Sequence, residues 1–435
     1  MGAVVVVGGG GFVGRHVRAA LLEAGAQVAA PARHEFDIAR DAPELLARKL
    51  AGADVVVNSA GIARNERLDN LEAVNVEGVR RLGQACRLAG VRRLIHISAL
   101  GAACDDPTRL QRTKGDGEDV LAGFEGLEIS VVRPSLLIGP GGATADFFSA
   151  LAALPFPPRL GNGDWRVQPL HVSELAALVV KLALAPEAPR VVDAVGPAPI
   201  ATDELEGALR GWLGLAPAAR FLPLPKFALS GLAWLNEIVE VGPGDRELLR
   251  LLERGGAGDC AGIAAMLGRA PRSLAQSLAL NPATPADLWR ARLYFVQPLL
   301  RIALALLWIG TGLVSLGPFP PAESYVMLAE VGVRGPLAEI ALFGGAALNI
   351  ALGAMLLANW RPARTGLAML ALLGFYTLVG LLLPPELWLN PFAPILKNLP
   401  IGAALIALIA MERPSPRARH ALAEQQGDAR ESVAS

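Results

Sequence analysis

The sequence has few cysteines, few lysines and no excess of charge of either sign. Its three cysteines, Cys86, Cys104 and Cys260, are scattered and odd in number, so they exclude a disulfide framework and we expect no metal site. Forty basic and forty acidic residues give a formal net charge of zero, which excludes the positive field that nucleic-acid binding requires. Only five lysines accompany 35 arginines, a bias typical of GC-rich bacterial genes.

Charged residues are also scarce in the last third of the chain. Residues 298–411 hold nine of the 80 charged residues, and the chain is 53% hydrophobic with a mean hydropathy of +0.42. These values exceed those of an ordinary soluble domain and exclude a disordered chain. The sequence therefore predicts a soluble part followed by a membrane part.

A strand, a glycine turn and a helix begin the chain. Ala3–Val7 is a short β-branched run, typical of a strand that is buried on both faces. Gly8, Gly11 and Gly14 follow at a spacing of three, and Phe12–Ala26 carries a helical pattern. In this context glycines let the backbone approach a pyrophosphate at a helix N-terminus. The pattern predicts dinucleotide binding; the alternative is a tight turn whose glycines serve packing alone.

The end of the second predicted strand indicates which dinucleotide is bound. Gln27–Pro31 is followed by Arg33, whereas a cofactor without a 2′-phosphate usually meets an acidic residue here. A guanidinium can bind a phosphate through two hydrogen bonds. The sequence therefore favours NADP(H) over NAD(H), the alternative being a solvated arginine on a surface loop.

Further strands predict the fold class. Asp54–Asn58, Leu94–Ser98 and Leu127–Arg133 alternate with helical patterns, which is typical of a doubly wound α/β sheet. Proline-rich segments then break residues 135–297 into short pieces, as expected for an irregular substrate lobe.

Six motifs within the first 200 residues carry a family resemblance. They are GGGGFVG at Gly8–Gly14, FDI at Phe36–Ile38, NSAG at Asn58–Gly61, AVNVEGV at Ala73–Val79, RLIHIS at Arg93–Ser98 and RPSLLIGPGG at Arg133–Gly142. Together they resemble the extended short-chain dehydrogenase/reductase superfamily, which has an NAD(P)-binding Rossmann domain.

The resemblance implies roles for individual residues. The residues that would line the pyrophosphate are Gly8, Gly11, Phe12, Val13 and Gly14. Asp37 and Ile38 would flank the adenine, and Ala60 and Gly61 the adjoining ribose. Lys114 would hold the nicotinamide ribose, and the loop after Arg133 and Pro134 would close over the nicotinamide.

One position departs from that family. Active members have a tyrosine four residues before the lysine, and here Leu110 precedes Lys114. The chain's three tyrosines, Tyr294, Tyr325 and Tyr376, lie at or beyond the edge of the membrane part, so we do not expect tyrosine-dependent carbonyl reduction. The sequence is closer to the atypical branch, which includes NmrA-like sensors and the NAD(P)H-binding accessory subunit of respiratory complex I.

Ser98, Lys114 and His171 are the candidate catalytic residues. Ser98 and Lys114 stand at family positions, and His171 lies in QPLHVSELA, a segment that packs near the substrate pocket in relatives. A histidine titrates near neutrality and can donate a proton. The alternative for His171 is a structural role, with its ring bonded to the backbone.

The C-terminal third predicts an all-α bundle of four transmembrane helices. The four apolar stretches are Leu299–Gly317, Gly335–Ala358, Thr365–Leu383 and Phe392–Met411. Arginines flank the first stretch, the second loop and the end of the fourth, so the positive-inside rule predicts that both termini face the cytoplasm. WIGTGLVSL at Trp308–Leu316 and PELWLNPFAPILKNLP at Pro385–Pro400 resemble the DoxX-like membrane family, whose members are associated with quinone or thiol redox systems.

The predicted organisation has four parts. They are the Rossmann domain (1–200), substrate-lobe and linker helices (201–297), the DoxX-like domain (298–412) and a disordered cytoplasmic tail (413–435).

Two functions agree with these parts. One is an oxidoreductase in the bacterial cytoplasmic membrane that passes reducing equivalents from NADPH to a quinone or another lipophilic molecule. The other is a non-catalytic NADPH-binding sensor or assembly factor for a membrane redox complex, which the absent tyrosine favours.

Overall fold

The computed structural model describes residues 2–65, 70–161, 163–218, 220–239, 242–381 and 396–412. The chain divides into two compact units, Met1–Arg292 and Leu293–Ser435. The predicted tail, 413–435, lies outside the described residues.

The first unit is built on a parallel sheet of six strands. They are β1 (Ala3–Val7), β2 (Val28–Ala29), β3 (Ala53–Asn58), β4 (Arg93–Ile97), β5 (Glu128–Pro134) and β10 (Val191–Ala194). Their spatial order is β2-β1-β3-β4-β5-β10, and every pair is parallel. The valine runs of β1 and β3 are buried, which explains why apolar residues follow one another without alternation.

Helices cover both faces of this sheet. They are α1 (Phe12–Glu23), α2 (Pro43–Lys49), α3 (Gly78–Leu88), α4 (Arg109–Ala122), α5 (Ala143–Ala153) and α6 (Val172–Leu184), with a π-helical segment (Ala73–Glu77) leading into α3. One apolar core forms between the sheet and α1 with α6, and another between the sheet and α2 with α3. The predicted doubly wound α/β fold is confirmed.

The rest of the first unit consists of short elements. The strands are β6 (Leu137–Ile138), β7 (Pro158–Arg159), β8 (Arg166–Val167), β9 (Leu170–His171), β11 (Ile200–Ala201) and β12 (Leu222–Pro223). They pair as β6 with β9, β7 with β12 and β8 with β11. The helices are α7 (Thr202–Trp212), α8 (Lys226–Val239), α9 (Arg246–Arg254), α10 (Ala261–Leu267), α11 (Leu274–Leu280) and α12 (Pro285–Leu293).

The described part of the second unit is helical. Its helices are α13 (Val296–Leu316), α14 (Pro321–Glu330), α15 (Pro336–Glu339), α16 (Gly345–Leu357), α17 (Pro362–Gly380) and α18 (Asn398–Met411), with a π-helical segment (Ile340–Gly344) between α15 and α16. Three helical stretches are long and apolar enough to cross a membrane: Pro285–Leu316, Pro336–Leu357 and Pro362–Gly380. The predicted fourth stretch begins in residues outside the description, and its described part, α18, is a shorter apolar helix.

The first loop of the second unit, between α13 and α15, contains the helix α14. Pro321 occupies the first helical position, where its missing N–H costs nothing, and Pro320 precedes it in an extended conformation. The proline-rich sequence therefore starts a helix as well as ending one.

Candidate functional site

The glycine turn between β1 and α1 has no room for side chains. Gly8 has a φ of +76°, and a Cβ on it would lie 2.7 Å from the amide nitrogen of Ala60. A Cβ on Gly14 would overlap the carbonyl oxygen of Gly8 and lie 2.6 Å from Ser59 Oγ. The Gly11 N–H donates to the Gly8 oxygen at 2.9 Å, which closes the turn. The glycines are therefore required by geometry as well as by the motif.

The turn leaves the N-terminus of α1 accessible to an anion. Gly11 is the N-cap residue, and the first turn contains no acidic side chain. The N–H groups of Phe12, Val13 and Gly14 belong to that first turn, where an α-helix offers them no internal partner. A Cβ on Gly10 would meet no atom within 4 Å, so the turn borders open space. These residues fit the pyrophosphate of a dinucleotide.

The topology puts this turn at the expected place in the sheet. The strand order reverses direction between β1 and β3, and ligands of doubly wound sheets bind outside the carboxyl ends of strands at such a point. Ser59 follows β3 directly and donates its hydroxyl to the Val7 oxygen at 2.7 Å. The ends of the two strands are therefore joined at the cleft.

Three residues that the sequence predicts to lie beside the adenosine follow β2 in the chain. The Nε atom of Arg33 lies 3.7 Å from an Asp37 carboxylate oxygen, and about half of the Arg33 side chain is exposed. Arg40 donates to the same carboxylate at 2.8 Å. Ile38 is buried in the core beside Gly78. Two guanidinium groups therefore stand at this end, while the Asp37 carboxylate is engaged by both.

Lys114 lies next to the segment that follows β3. A Cβ on Gly61 would be 2.8 Å from Lys114 Nζ, and that amine donates to the Ile97 carbonyl at the end of β4 at 3.2 Å. Lys114 is 8% exposed, and burial lowers its pKa from 10.5 to about 8, although the Glu118 carboxylate opposes this shift. The structure thus brings Lys114 and Gly61 together.

Buried side-chain amides also bind the segment that follows β3. Asn58 Oδ1 accepts the Ala60 N–H at 3.1 Å, and Asn58 Nδ2 lies 3.0 Å from His96 Nδ1. Burial, assisted by the charge of Lys114, lowers the pKa of His96 to about 3, so this histidine is neutral. Asn75 Oδ1 accepts the Ile62 N–H at 3.3 Å. The position of Ala60 and Gly61 is therefore determined by side chains on three separate elements.

Ser98 participates in a contact that the sequence analysis missed. Its hydroxyl donates to Glu118 Oε1, one helical turn after Lys114, and Arg133 binds both oxygens of that carboxylate. Glu118 is 9% exposed. Nearby, burial raises the pKa of Asp193 despite the charge of Arg133. The only sequence signal was that Glu118 lies four residues after Lys114 and therefore on the same face of α4.

Leu110 stands where the family resemblance implies a tyrosine. It lies one turn before Lys114 on α4, and its carbonyl accepts the Thr113 hydroxyl at 3.1 Å. Tyr294, Tyr325 and Tyr376 belong to the second unit. None of the tyrosines stands on the helix that carries the lysine.

The loop after Pro134 contacts the first turn of α1. Arg15 donates to the Pro140 carbonyl at 2.7 Å, and a Cβ on Gly142 would be 2.8 Å from the Phe12 ring. The Pro134 carbonyl accepts the Leu100 N–H at 2.9 Å. This loop therefore borders the same cleft as the glycine turn.

His171 has a different setting. It is the N-cap residue of α6, where its Nδ1 accepts the Ser173 N–H at 3.3 Å and lies 2.8 Å from the Ser173 hydroxyl. Burial, followed by the charge of His16, lowers the pKa of His171. Within the described residues, no hydrogen bond connects it with Ser98 or Lys114. Instead it lines a small pocket with Asp146 and Arg290.

Two family matches account for most of the chain. Residues 4–194 match the NAD dependent epimerase/dehydratase family, and residues 305–407 match the DoxX-like family.

Three similar curated proteins each match less than half of this chain. A ceramide reductase from Caulobacter vibrioides is 30% identical over 42% of this chain and 62% of its own length. The NADH dehydrogenase [ubiquinone] 1 alpha subcomplex subunit 9 of Dictyostelium discoideum is 30% identical over 41% of this chain and 54% of its own. A dTDP-4-dehydrorhamnose reductase from Mycobacterium tuberculosis is 31% identical over 44% of this chain and 69% of its own. The chain thus spans between about half and two thirds of these relatives' lengths.

Solved structures agree on the fold. A human epimerase family protein crystallised with NADPH has a TM-score of 0.52 at 20% identity, covering 63% of this chain and 97% of that chain. A nucleoside-diphosphate-sugar epimerase from Staphylococcus aureus has a TM-score of 0.51 at 16% identity, covering 63% of this chain and 99% of that one.

Proposed function

The chain belongs to the NAD dependent epimerase/dehydratase family through residues 4–194 and carries a DoxX-like domain at 305–407, and from this premise we propose that it is a membrane-attached NADPH-dependent oxidoreductase. Its proposed substrate is a lipophilic ketone or quinone. The observation that carries the proposal is the cleft in which a glycine turn, the N-terminus of α1 and the buried amine of Lys114 converge. When bound there, the cofactor would supply a hydride.

The proposed preference for NADP(H) rests on Arg33. Its guanidinium follows β2 and has an exposed side, so it can approach a 2′-phosphate without first being uncovered. Arg40 holds the neighbouring Asp37 carboxylate at 2.8 Å, which reduces the repulsion that a free carboxylate would exert on the phosphate.

A lipophilic substrate is proposed from the second unit and from the relatives. The second unit contributes helices that can cross a membrane, so it keeps the first unit close to membrane-dissolved molecules. Two of the relatives carry names that mention ceramide and ubiquinone, both of which are lipophilic. By the distribution of arginines, we propose the bacterial cytoplasmic membrane as the location, with both termini in the cytoplasm, where NADPH is found.

The proton for such a reduction must come from a group other than tyrosine. Lys114, with a pKa of about 8, is mainly protonated near neutral pH but holds its proton weakly enough to release it to a substrate oxygen. The Ser98 hydroxyl is directed at Glu118, so it would orient the substrate only if that contact opens. We therefore propose Lys114 as the proton donor, Ser98 as a positioning group and a structural role for His171.

A second function is favoured by Leu110. With no tyrosine on α4, the cleft could bind NADPH without turnover, and the protein would then act as a nucleotide sensor or as an assembly factor for a membrane redox complex. The match to the complex I subunit supports this alternative.

One experiment distinguishes the two functions. The full-length protein is purified in mild detergent, its bound nucleotide is identified by mass spectrometry, and NADPH absorbance is followed with long-chain ketones and quinones. Oxidation of NADPH that disappears in Lys114→Met but persists in Lys181→Met, an exposed lysine on α6, supports the oxidoreductase. Tight NADPH binding without oxidation in the wild type supports the sensor. Absence of nucleotide binding contradicts both.

A further inference from the structure

The second unit contains a cavity that the proposed reaction does not use. It has a volume of about 270 Å³ and is formed by α13, α14, the π-helical segment with α16, and α17. Its lining is largely apolar and includes Leu342 and Val379, but Asn349 and Tyr376 also line it. A polar pair in the wall of an apolar intramembrane cavity needs an explanation, since polar groups are costly there.

Asn349 and Tyr376 are bonded to each other. Asn349 is 6% exposed; its side-chain amide donates to the Gly345 carbonyl at 3.0 Å and to the Tyr376 hydroxyl at 3.1 Å. Asn349 lies eight residues before the end of α16, about 12 Å along the helix axis. Tyr376 lies fourteen residues after the start of α17, about 21 Å along its axis. If these helices span a hydrocarbon core of about 30 Å, both distances place the pair inside the core and away from its edges.

The pair leaves one hydrogen-bond donor for the cavity. The Tyr376 oxygen accepts from Asn349, and among the described residues no acceptor receives the Tyr376 hydroxyl proton. Two other hydroxyls of the lining are already used, because Thr311 donates to the Leu307 carbonyl at 2.8 Å and Ser315 to the Thr311 carbonyl at 2.9 Å. The hydroxyl of Ser324 on α14 also belongs to the lining. In apolar surroundings an unused O–H group selects for an acceptor oxygen.

We propose that this cavity binds a membrane-dissolved molecule with an apolar body and a carbonyl or ester oxygen, which accepts a hydrogen bond from the Tyr376 hydroxyl. Asn349 is the positioning residue, because its donated hydrogen bond holds the tyrosine oxygen. The volume lies near the lower limit of small-molecule pockets, about 300–1,000 Å³, so the cavity accommodates a ring or a short chain segment and not a whole phospholipid. This inference is independent of the proposed reaction, since it concerns the second unit alone.

The test compares a ketone with its matching hydrocarbon. Full-length protein in mild detergent is photolabelled with 4-decylbenzophenone, and tridecan-2-one and tridecane are added as competitors. We expect label on the cavity lining, and the ketone should compete at about five- to tenfold lower concentration than the alkane, the gain from one buried hydrogen bond. In Tyr376→Phe this advantage should vanish, whereas alkane competition remains and shows that the cavity is intact.

The control is Tyr325→Phe, which removes a hydroxyl from α14 at a residue outside the cavity lining and should leave the ketone advantage unchanged.

Lipid extraction distinguishes two natural sources of the acceptor oxygen. A phospholipid that the wild type retains and Tyr376→Phe loses indicates a bilayer ester. A retained carbonyl compound that is not a phospholipid indicates a dissolved ligand. Equal competition by ketone and alkane in the wild type, or a ketone advantage that survives in Tyr376→Phe, overturns the proposal.

Discussion

Replacing Lys114 with methionine should change the stability of the first unit in a direction that depends on pH. The Lys114 side chain is 8% exposed, and burial lowers its pKa from 10.5 to about 8. The folded protein therefore holds this proton more weakly than the unfolded chain. The difference of about 2.5 pKa units corresponds to a cost of about 3 kcal/mol for folding with the amine charged.

The sign follows from this cost. It is fully present below about pH 8, and it is relieved as the pH rises from about 8 to about 10.5, where the unfolded chain also loses the proton. Methionine removes the cost but also the hydrogen bond to the Ile97 carbonyl, worth about 1 kcal/mol. Lys114→Met should therefore stabilise the first unit by about 2 kcal/mol near pH 7 and change its stability little near pH 10.

Pulse proteolysis of the full-length protein in urea and mild detergent, at both pH values, measures this difference. Lys181→Met is the matched control, because Lys181 is exposed on α6 of the same unit, and it should show no such pH dependence. Lys114→Met should also weaken NADPH binding by tenfold or more, since a charged hydrogen bond to the ribose is lost. A variant that is equally destabilised at both pH values would refute the reasoning.

Three further predictions concern the cleft. Arg33→Ala should weaken NADPH binding at least tenfold and NADH binding hardly at all, as measured by titration of both cofactors; equal losses would show that Arg33 does not contact the phosphate. Gly14→Ala should abolish the thermal stabilisation by NADPH, because the new methyl group overlaps the Gly8 oxygen. Gly207→Ala, whose new Cβ has no atom within 4 Å, should retain that stabilisation. Leu110→Tyr should introduce or increase slow oxidation of NADPH by a lipophilic ketone, and an unchanged rate would contradict the assignment of this position.

Much of the first unit could be predicted from its sequence because the relevant signals are local. The valine runs of β1 and β3 are buried on both faces, and the glycines of the turn meet backbone atoms that no side chain could avoid. Less was predictable at the edge strand. The sequence indicates Gln27–Pro31, but only Val28–Ala29 forms ladder pairs with β1, because an edge strand has a partner on one side alone.

The helix that carries AVNVEGV shows a different limit. The apolar pattern of Leu71–Ala89 indicates one continuous helix, but the structure contains a π-helical segment at Ala73–Glu77 before α3. Asn75 lies in this segment, where its amide group bonds both the N–H and the carbonyl of Ile62. Helical periodicity over so short a segment does not distinguish a π-helical turn from an α-helical one, because both bring residues about one turn apart onto one face.

The contacts of Ser98 explain why family positions alone do not determine the chemistry of this cleft. A serine at the end of β4 can offer its hydroxyl to a substrate only if no closer acceptor is present. Here the Glu118 carboxylate accepts a hydrogen bond from the Ser98 hydroxyl, and Arg133 holds that carboxylate in place. Among the described groups around Gly61, Lys114 is then the one whose pKa lies near neutrality, since that of His96 is lowered to about 3. If the proposed reduction takes its proton from Lys114, its rate should fall as the pH rises through about 8, because the neutral amine has no proton to spare. A rate that stays constant from about pH 7 to about pH 9 would exclude the lysine as donor and leave NADPH binding as its role.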